Sequence, residues 1–237
     1  MCTVTFLPYK EGYILTSNRD EKLTRPSAGM PEVHKKKGYQ LAFAKDPIGG
    51  GTWIAADDRG NSVCLLNGAF EHHEPRYPYR HSRGLIVLNY FKYLDLEDFT
   101  ENYNLDKIEP FTLVIVWHNR LFELKWDGEI TYSSELPYDQ PRIWSSVTLY
   151  SQEIIDKRQH WFDKWLTDHP NFTREDILKF HNFEGDENSH ANIIMASEDK
   201  RRTVSITSIL SDGNQVSFRY RDLLEQSSME HYMTRRS

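Results

Sequence analysis

Cysteine stands directly after the first methionine: the chain opens Met1-Cys2-Thr3-Val4-Thr5-Phe6-Leu7. Removal of Met1, which the small Cys side chain permits, would leave a thiol and a free α-amino group on one residue. That amine titrates near pH ~8 and can act as the thiol's own base, with no histidine needed. The bland alternative is a cysteine placed there by chance. A polar run, Ser17-Asn18-Arg19-Asp20-Glu21, ends the second apolar segment, with Arg25-Pro26 shortly after. Such a run suits a surface turn; a buried Asp20 would instead hold a cationic N-terminus and shift the pKa values around it. Asn67 precedes Gly68 at the end of a further apolar run. An Asn-Gly pair usually marks a turn, but a side-chain amide there can also donate to a developing oxyanion, an interaction worth roughly 3 kcal/mol in such sites.

Other clusters carry less. Gly49-Gly50-Gly51 lacks a following Gly-Lys-Ser/Thr and reads as a tight bend before a strand, not a phosphate loop. Glu71-His72-His73-Glu74 with nearby His81 does not have zinc spacing, so no metal is expected and the segment reads as an exposed loop rimming the pocket. His190 reads as structural. A single axial histidine suffices for haem, which keeps haem admissible as a ligand. Trp53, Phe70, Tyr77 and Tyr79 near the presumed mouth point to an apolar or flat ligand, unless they belong to the core.

The elements that would position these residues are mostly strands at first. Residues 4–7 and 12–16 read as β-strands about a turn at Tyr9-Lys10-Glu11, with a weaker strand at 40–44. Residues 53–56 and 62–66 read as a hairpin with an Asp/Gly turn, and Cys64 within it as a buried core thiol. A helical stripe covers 83–95, and 111–117 with 121–126 form a second hairpin turning at His118-Asn119. Ser151 opens a helix to Leu166 with Ile154, Ile155, Trp161, Phe162 and Trp165 on its buried face; Thr173-Arg-Glu-Asp caps another. Late strands are expected near 192–196, 202–209 and 215–221, with about the last dozen residues loose. No linker or repeat divides the chain, so residues 1–237 read as one α+β domain with two sheets between helix layers.

Cys2, Asn18-Arg19-Asp20-Glu21 with Arg25-Pro26, and Gly50-Gly51-Thr52-Trp53 together resemble the NRDE family, which includes the eukaryotic transport-and-Golgi-organization-2 proteins. Leu66-Asn67-Gly68 and the segment Ser145-Ser146-Val147-Thr148-Leu149-Tyr150 extend the likeness. The resemblance implies the four-layer αββα sandwich of N-terminal-nucleophile hydrolases, in a family linked to haem handling and lipid metabolism without a settled reaction. A more distant likeness is to the choloylglycine hydrolase and penicillin V acylase group, which also begin Met-Cys. There the second strand ends in Arg-x-x-Asp; here Ser17 holds the arginine's place, Asp20 matches the aspartate, and Arg19 would have to act from another angle. Leu66-Asn67 is similar to the oxyanion-side asparagine motif, and Ser146 stands where a second asparagine would be.

The likeness implies that Cys2 attacks an amide or thioester, its amine relays the proton, Asp20 orients that terminus and Asn67 steadies the oxyanion. Arg19 would bind a substrate carboxylate or support Asp20, and Asn18, Ser146 and Trp53 would contact substrate. The alternative is a non-catalytic binding or trafficking protein for haem or an acyl-CoA-like ligand on the same scaffold. Neither reading requires a cofactor.

Composition bounds both. Hydrophobic residues make up 38% and aromatic residues 13% of 237, enough for a sizeable core. With 29 Lys+Arg against 35 Asp+Glu the net charge is −6, which argues against nucleic acid as partner and for a small-molecule ligand. No apolar run spans a bilayer, no signal peptide opens the chain, and two cysteines make no disulfide framework, so a cytoplasmic protein with reduced thiols is expected.

Overall fold

A computed structural model describes residues 3–183, 192–196 and 201–236; Met1, Cys2 and His190 lie outside them. The chain begins β1 (Thr3–Tyr9), β2 (Gly12–Lys22), β3 (Glu32–Lys36), β4 (Tyr39–Phe43), β5 (Ile54–Asp57) and β6 (Ser62–Asn67). Two short helices come next, α1 (Gly84–Tyr90) and α2 (Leu96–Asn102), then β7 (Phe111–Trp117), β8 (Arg120–Trp126), β9 (Thr131–Leu136) and β10 (Arg142–Ser145). Helices α3 (Gln152–Asp168) and α4 (Arg174–His181) precede β11 (Arg201–Ser211), β12 (Gln215–Asp222) and β13 (Ser227–Thr234).

The strands form two antiparallel sheets, ordered β10-β1-β2-β11-β12-β13 and β3-β4-β5-β6-β7-β8-β9. Alternation along β1 and β2 explains the layering, because successive side chains point to opposite faces. Val4, Phe6, Tyr13 and Leu15 enter the core between the sheets with Ile54, Cys64 and Val114. Leu7 and Ile14 face the other way, onto Phe162, Trp165 and Phe180 of α3 and α4. The second sheet's outer face packs Val63, Leu65 and Leu113 against Ile86, Tyr90 and Phe99 of α1 and α2. The order is therefore helix, sheet, sheet, helix, as expected.

Both expected hairpins form, pairing Ile54 with Cys64 and Trp117 with Arg120. His118 and Asn119 turn the second with φ of 50° and 58°, the left-handed conformation that tight hairpin turns require. Thr173 caps α4 in a full capping box with Asp176.

Other expectations need correction. The stripe over 83–95 is not one helix: Asp95 accepts from the Asp98 amide and starts α2, and Leu94 is exposed. The apolar spacing runs across that break because both short helices cover the same core. On α3, Ser151 makes no side-chain cap bond, and Arg158 joins Phe162 and Trp165 as its buried residues, while Ile154, Ile155 and Trp161 are only partly buried. Residues 192–196 form no strand beyond the bridge Ala196↔Arg202. Residues 227–234, expected to be loose, form β13 on the edge of the first sheet, so most of its side chains face solvent and can be polar.

Candidate functional site

The ends of four strands meet at one place. Thr3, at the start of β1, pairs with Ser145 at the end of β10 and with Asn18 near the end of β2. Ser146, next along the chain, donates its hydroxyl to the Asn67 carbonyl at 2.9 Å, which brings the end of β6 to the same point. Gly68 then turns with φ +82°; a Cβ there would stand 2.6 Å from Thr148 Cγ2 and 2.7 Å from Val147 Cγ2. The turn is fastened on both sides, by Gly68 N donating to Pro110 O at 3.0 Å and Thr112 Oγ1 donating to Gly68 O at 2.9 Å. Among the described residues the Asn67 side-chain amide has no hydrogen-bond partner.

Alternation along β2 sends the expected residues to different layers. Asn18 and Asp20 face α3 and α4. The Asn18 amide donates to the carbonyls of His181 and Ile193, each at 3.0 Å, and its oxygen lies 2.7 Å from His181 Nδ1. Only Nδ1–H can serve an amide oxygen, so His181 carries its proton there and Nε2 accepts from the Thr5 hydroxyl at 2.7 Å. Burial, and then the nearby Arg158 charge, push the His181 pKa down to about 3, so the ring is neutral. The Asn18 side chain is thus committed inside the protein, away from the cavity of Arg19. Asp20 is 4% exposed and accepts from the Tyr150 hydroxyl at 2.7 Å and from Thr203 Oγ1. Arg158, fully buried, stacks 3.7 Å over Tyr150 and donates to Thr3 Oγ1 at 2.8 Å, linking Asp20 to the start of β1.

Arg19 points into the space between the sheets, so it does not support Asp20. Its guanidinium lies 4.5 Å over the Trp53 ring and donates Nη2 to Asp46 at 2.5 Å, its one hydrogen bond among the described residues. It lines a cavity of about 230 Å³ together with Trp53, Asn67, Glu21, Arg25, Arg83 and Glu109. Asp46 is saturated: Arg25 binds it twice, at 2.9 and 2.8 Å, and the amides of Ile48 and Gly49 bind it as well. Burial alone would raise its carboxyl, but the Arg25 hydrogen bonds, the Gly49 amide and the Arg19 charge outweigh that and hold its pKa below the ordinary value. Arg83 donates to Pro110 O at 2.9 Å and pairs with Glu109 at 3.0 Å.

The aromatic expectation changes accordingly. Trp53 lines this cavity, but its walls are mainly polar, with six charged side chains; Tyr77 is 80% exposed, and Phe70 packs on Tyr132 outside it. The His72-His73 loop rims a different cavity of about 700 Å³, which Tyr79 also lines. Among the described residues no group of three His, Cys, Asp or Glu is placed to hold a metal ion. Cys64 sits fully buried between the sheets, where burial pushes its thiol up to about 12. Sequence reasoning missed Asp46, Arg83, Arg158 and His181, and named Tyr150 only within the 145–150 segment, without a role. Their signal was weak, because each is an ordinary charged or polar residue brought in from a distant element.

Two face-to-face antiparallel sheets between helix layers make the four-layer αββα fold of N-terminal-nucleophile hydrolases. The chain belongs to the Transport and Golgi organisation 2 family, whose model matches residues 1–236. Among solved structures it is similar to a variant of conjugated bile acid hydrolase from Clostridium perfringens, at 10% identity and TM-score 0.61, covering 98% of this chain and 92% of that one. It is also similar to a Caenorhabditis elegans ortholog of N-acylethanolamine-hydrolyzing acid amidase, at 13% identity and TM-score 0.53, covering 89% and 93%. No curated protein sequence matches the chain. Among the described residues no helix is long and apolar enough to cross a membrane.

Proposed function

We propose that this protein is a cysteine amidohydrolase acting on an amide or thioester, with Cys2 as nucleophile after loss of Met1. One observation carries the reading: the unpartnered Asn67 amide and the sparsely bonded Arg19 guanidinium share one polar cavity at the strand ends where β1 begins. Cys2 is joined to Thr3 by a single peptide bond. In the proposed reaction the Cys2 thiol adds to the carbonyl carbon as its proton passes to the α-amine, which becomes an ammonium. Asn67 donates to the oxyanion. The amine then protonates the departing amine or thiol, leaving a thioester on Cys2. Water, deprotonated by the same amine, cleaves that thioester to release the acid. Asp20, tied to Thr3 through Tyr150 and Arg158, orients the terminus, and Arg19 grips an acceptor group of the substrate.

Carriage of haem or an acyl-CoA-like ligand has less support. The cavity lies below the ~300–1,000 Å³ typical of pockets that enclose a drug-sized ligand, and no histidine lines it among the described residues. The larger cavity that does contain His72 and His73 presents four carboxylates, Glu71, Glu74, Asp127 and Glu129, against two cations, Arg76 and Lys107, a net negative lining that disfavours haem propionates.

The test compares processed protein with protein carrying a tag ahead of residue 1, between mildly acidic and alkaline pH. Acylation of Cys2 is expected only in the processed form, rising through the titration of the amine and falling about 100-fold in Asn67→Ala. Identical profiles in the two forms would reject the mechanism.

A further inference from the structure

The walls of the Arg19 cavity hold three guanidiniums and three carboxylates, but the carboxylates are not equally bound. Asp46 has five hydrogen bonds and Glu109 a 3.0 Å pair with Arg83. Glu21 differs. One of its oxygens accepts only from the neighbouring Lys22 amide; the other stands 3.7 Å from Arg19 and 3.5 Å from Arg25, within ion-pair range but without a hydrogen bond to either. Its side chain is 29% exposed, against 5% for Arg19, so Glu21 can swing to water while Arg19 cannot. Arg83 lines the same cavity and is paired with Glu109, so the cations at ion-pair range of the loosely held Glu21 are Arg19 and Arg25.

We infer that Glu21 is an internal stand-in for a ligand carboxylate, and that the cavity takes the small, carboxylate-bearing part of a substrate between Arg19 and Arg83. This rests on the hydrolase reading for the bond cleavage after binding, but not for binding itself. A ligand carboxylate that replaces Glu21 leaves the walls electrically balanced, and it gains the planar N–H pairs of Arg19 that Asp46 leaves unused. At ~30 Å³ per water the cavity has room for roughly eight waters, hence for a group on the order of eight to ten non-hydrogen atoms. A long aliphatic chain does not fit that volume or those walls.

Calorimetric titration of the full chain with succinate, its neutral analogue succinamide, and laurate tests this. Succinate is expected to bind at least tenfold more tightly than either comparator. Glu21→Gln should tighten succinate binding about fivefold by removing the competing anion, whereas Arg83→Met should weaken it at least tenfold. Because Arg83→Met also loses the Pro110 bond, the gain in Glu21→Gln is the decisive arm: it cannot arise from misfolding. Equal affinity for succinate and succinamide, preference for laurate, or no gain in Glu21→Gln would overturn the inference. Cys2 acylation by neutral amides alongside such a failure would keep the hydrolase reading and remove only the carboxylate class. The expected binding pattern without any Cys2 acylation would keep the anion site and remove the chemistry.

Discussion

His181 is sealed between α4 and the first sheet with both ring nitrogens bonded, and that geometry makes its neutrality a stability term. Its folded pKa of about 3 lies below the ordinary value of 6.5, so between those values the unfolded chain binds a proton that the folded chain refuses. Stability is therefore fully present above pH 6.5 and falls as the pH drops towards 3, by roughly 2 kcal/mol between pH 7 and 5. Urea titrations at the two pH values should show that loss, and His181→Gln should flatten it. Asp20 is a different kind of buried group. Its carboxylate faces Tyr150 and the path to Thr3, so Asp20→Asn should slow Cys2 acylation at least tenfold while lowering the melting temperature less than Ile14→Ala. The latter empties a packed site and costs about 2–5 kcal/mol. Equal thermal losses would make Asp20 purely structural. Its burial was legible in the local motif, but not the partners that fix it: Tyr150 and Thr203 lie 130 and 183 residues away in sequence.

At the scale of elements, hairpins were readable because both strands and the turn are local: Asp57 to Gly60 and His118-Asn119 sit where alternation stops. Which face of β2 carries which chemistry was also implicit in period two, since Arg19 and Asp20, as neighbours, must diverge. What the local pattern did not contain was the edge strands β9, β10 and β13, whose solvent-facing side chains dilute the apolar signal. The turn after β6 offers the clearest element-level test. Gly68→Ala meets both a left-handed φ and two methyl groups within 2.7 Å, so a loss of at least 2 kcal/mol and slower acylation are expected as Asn67 shifts. Gly38, with φ +89° and nothing within 4 Å of the position a Cβ would take, isolates the backbone part: Gly38→Ala should cost only about 1 kcal/mol and leave acylation unchanged. A Gly68→Ala protein as stable and active as Gly38→Ala would show that the turn does not position Asn67.

Across the whole molecule, the inter-sheet core gathers residues from both ends of the chain: Val4 and Phe6 from β1 pack in the same cluster as Met233 from β13. The C-terminal segment reads as a polar tail, yet alternation in β13 places one large apolar side chain inward and its neighbour outward. Met233 is 2% exposed and opposes Val216 across the β12–β13 ladder, while Tyr232 is 63% exposed. A loose tail would tolerate truncation at both positions equally. An ordered edge strand would not: Met233→Ala removes buried thioether and methylene contacts and should cost about 2–4 kcal/mol, whereas Tyr232→Ala should stay within about 0.5 kcal/mol of the unsubstituted chain. Chemical denaturation of the two variants reads the difference directly. Equal midpoints would return residues 227–234 to the status of a tail and leave the first sheet ending at β12. The same strand also carries Glu230, which pairs with Arg174 and Arg219, so its removal would expose two guanidiniums as well as the core. Deleting residues 227–237 should therefore lower the melting temperature by more than Met233→Ala alone, with the Arg19 cavity still able to bind succinate wherever the shortened chain remains folded.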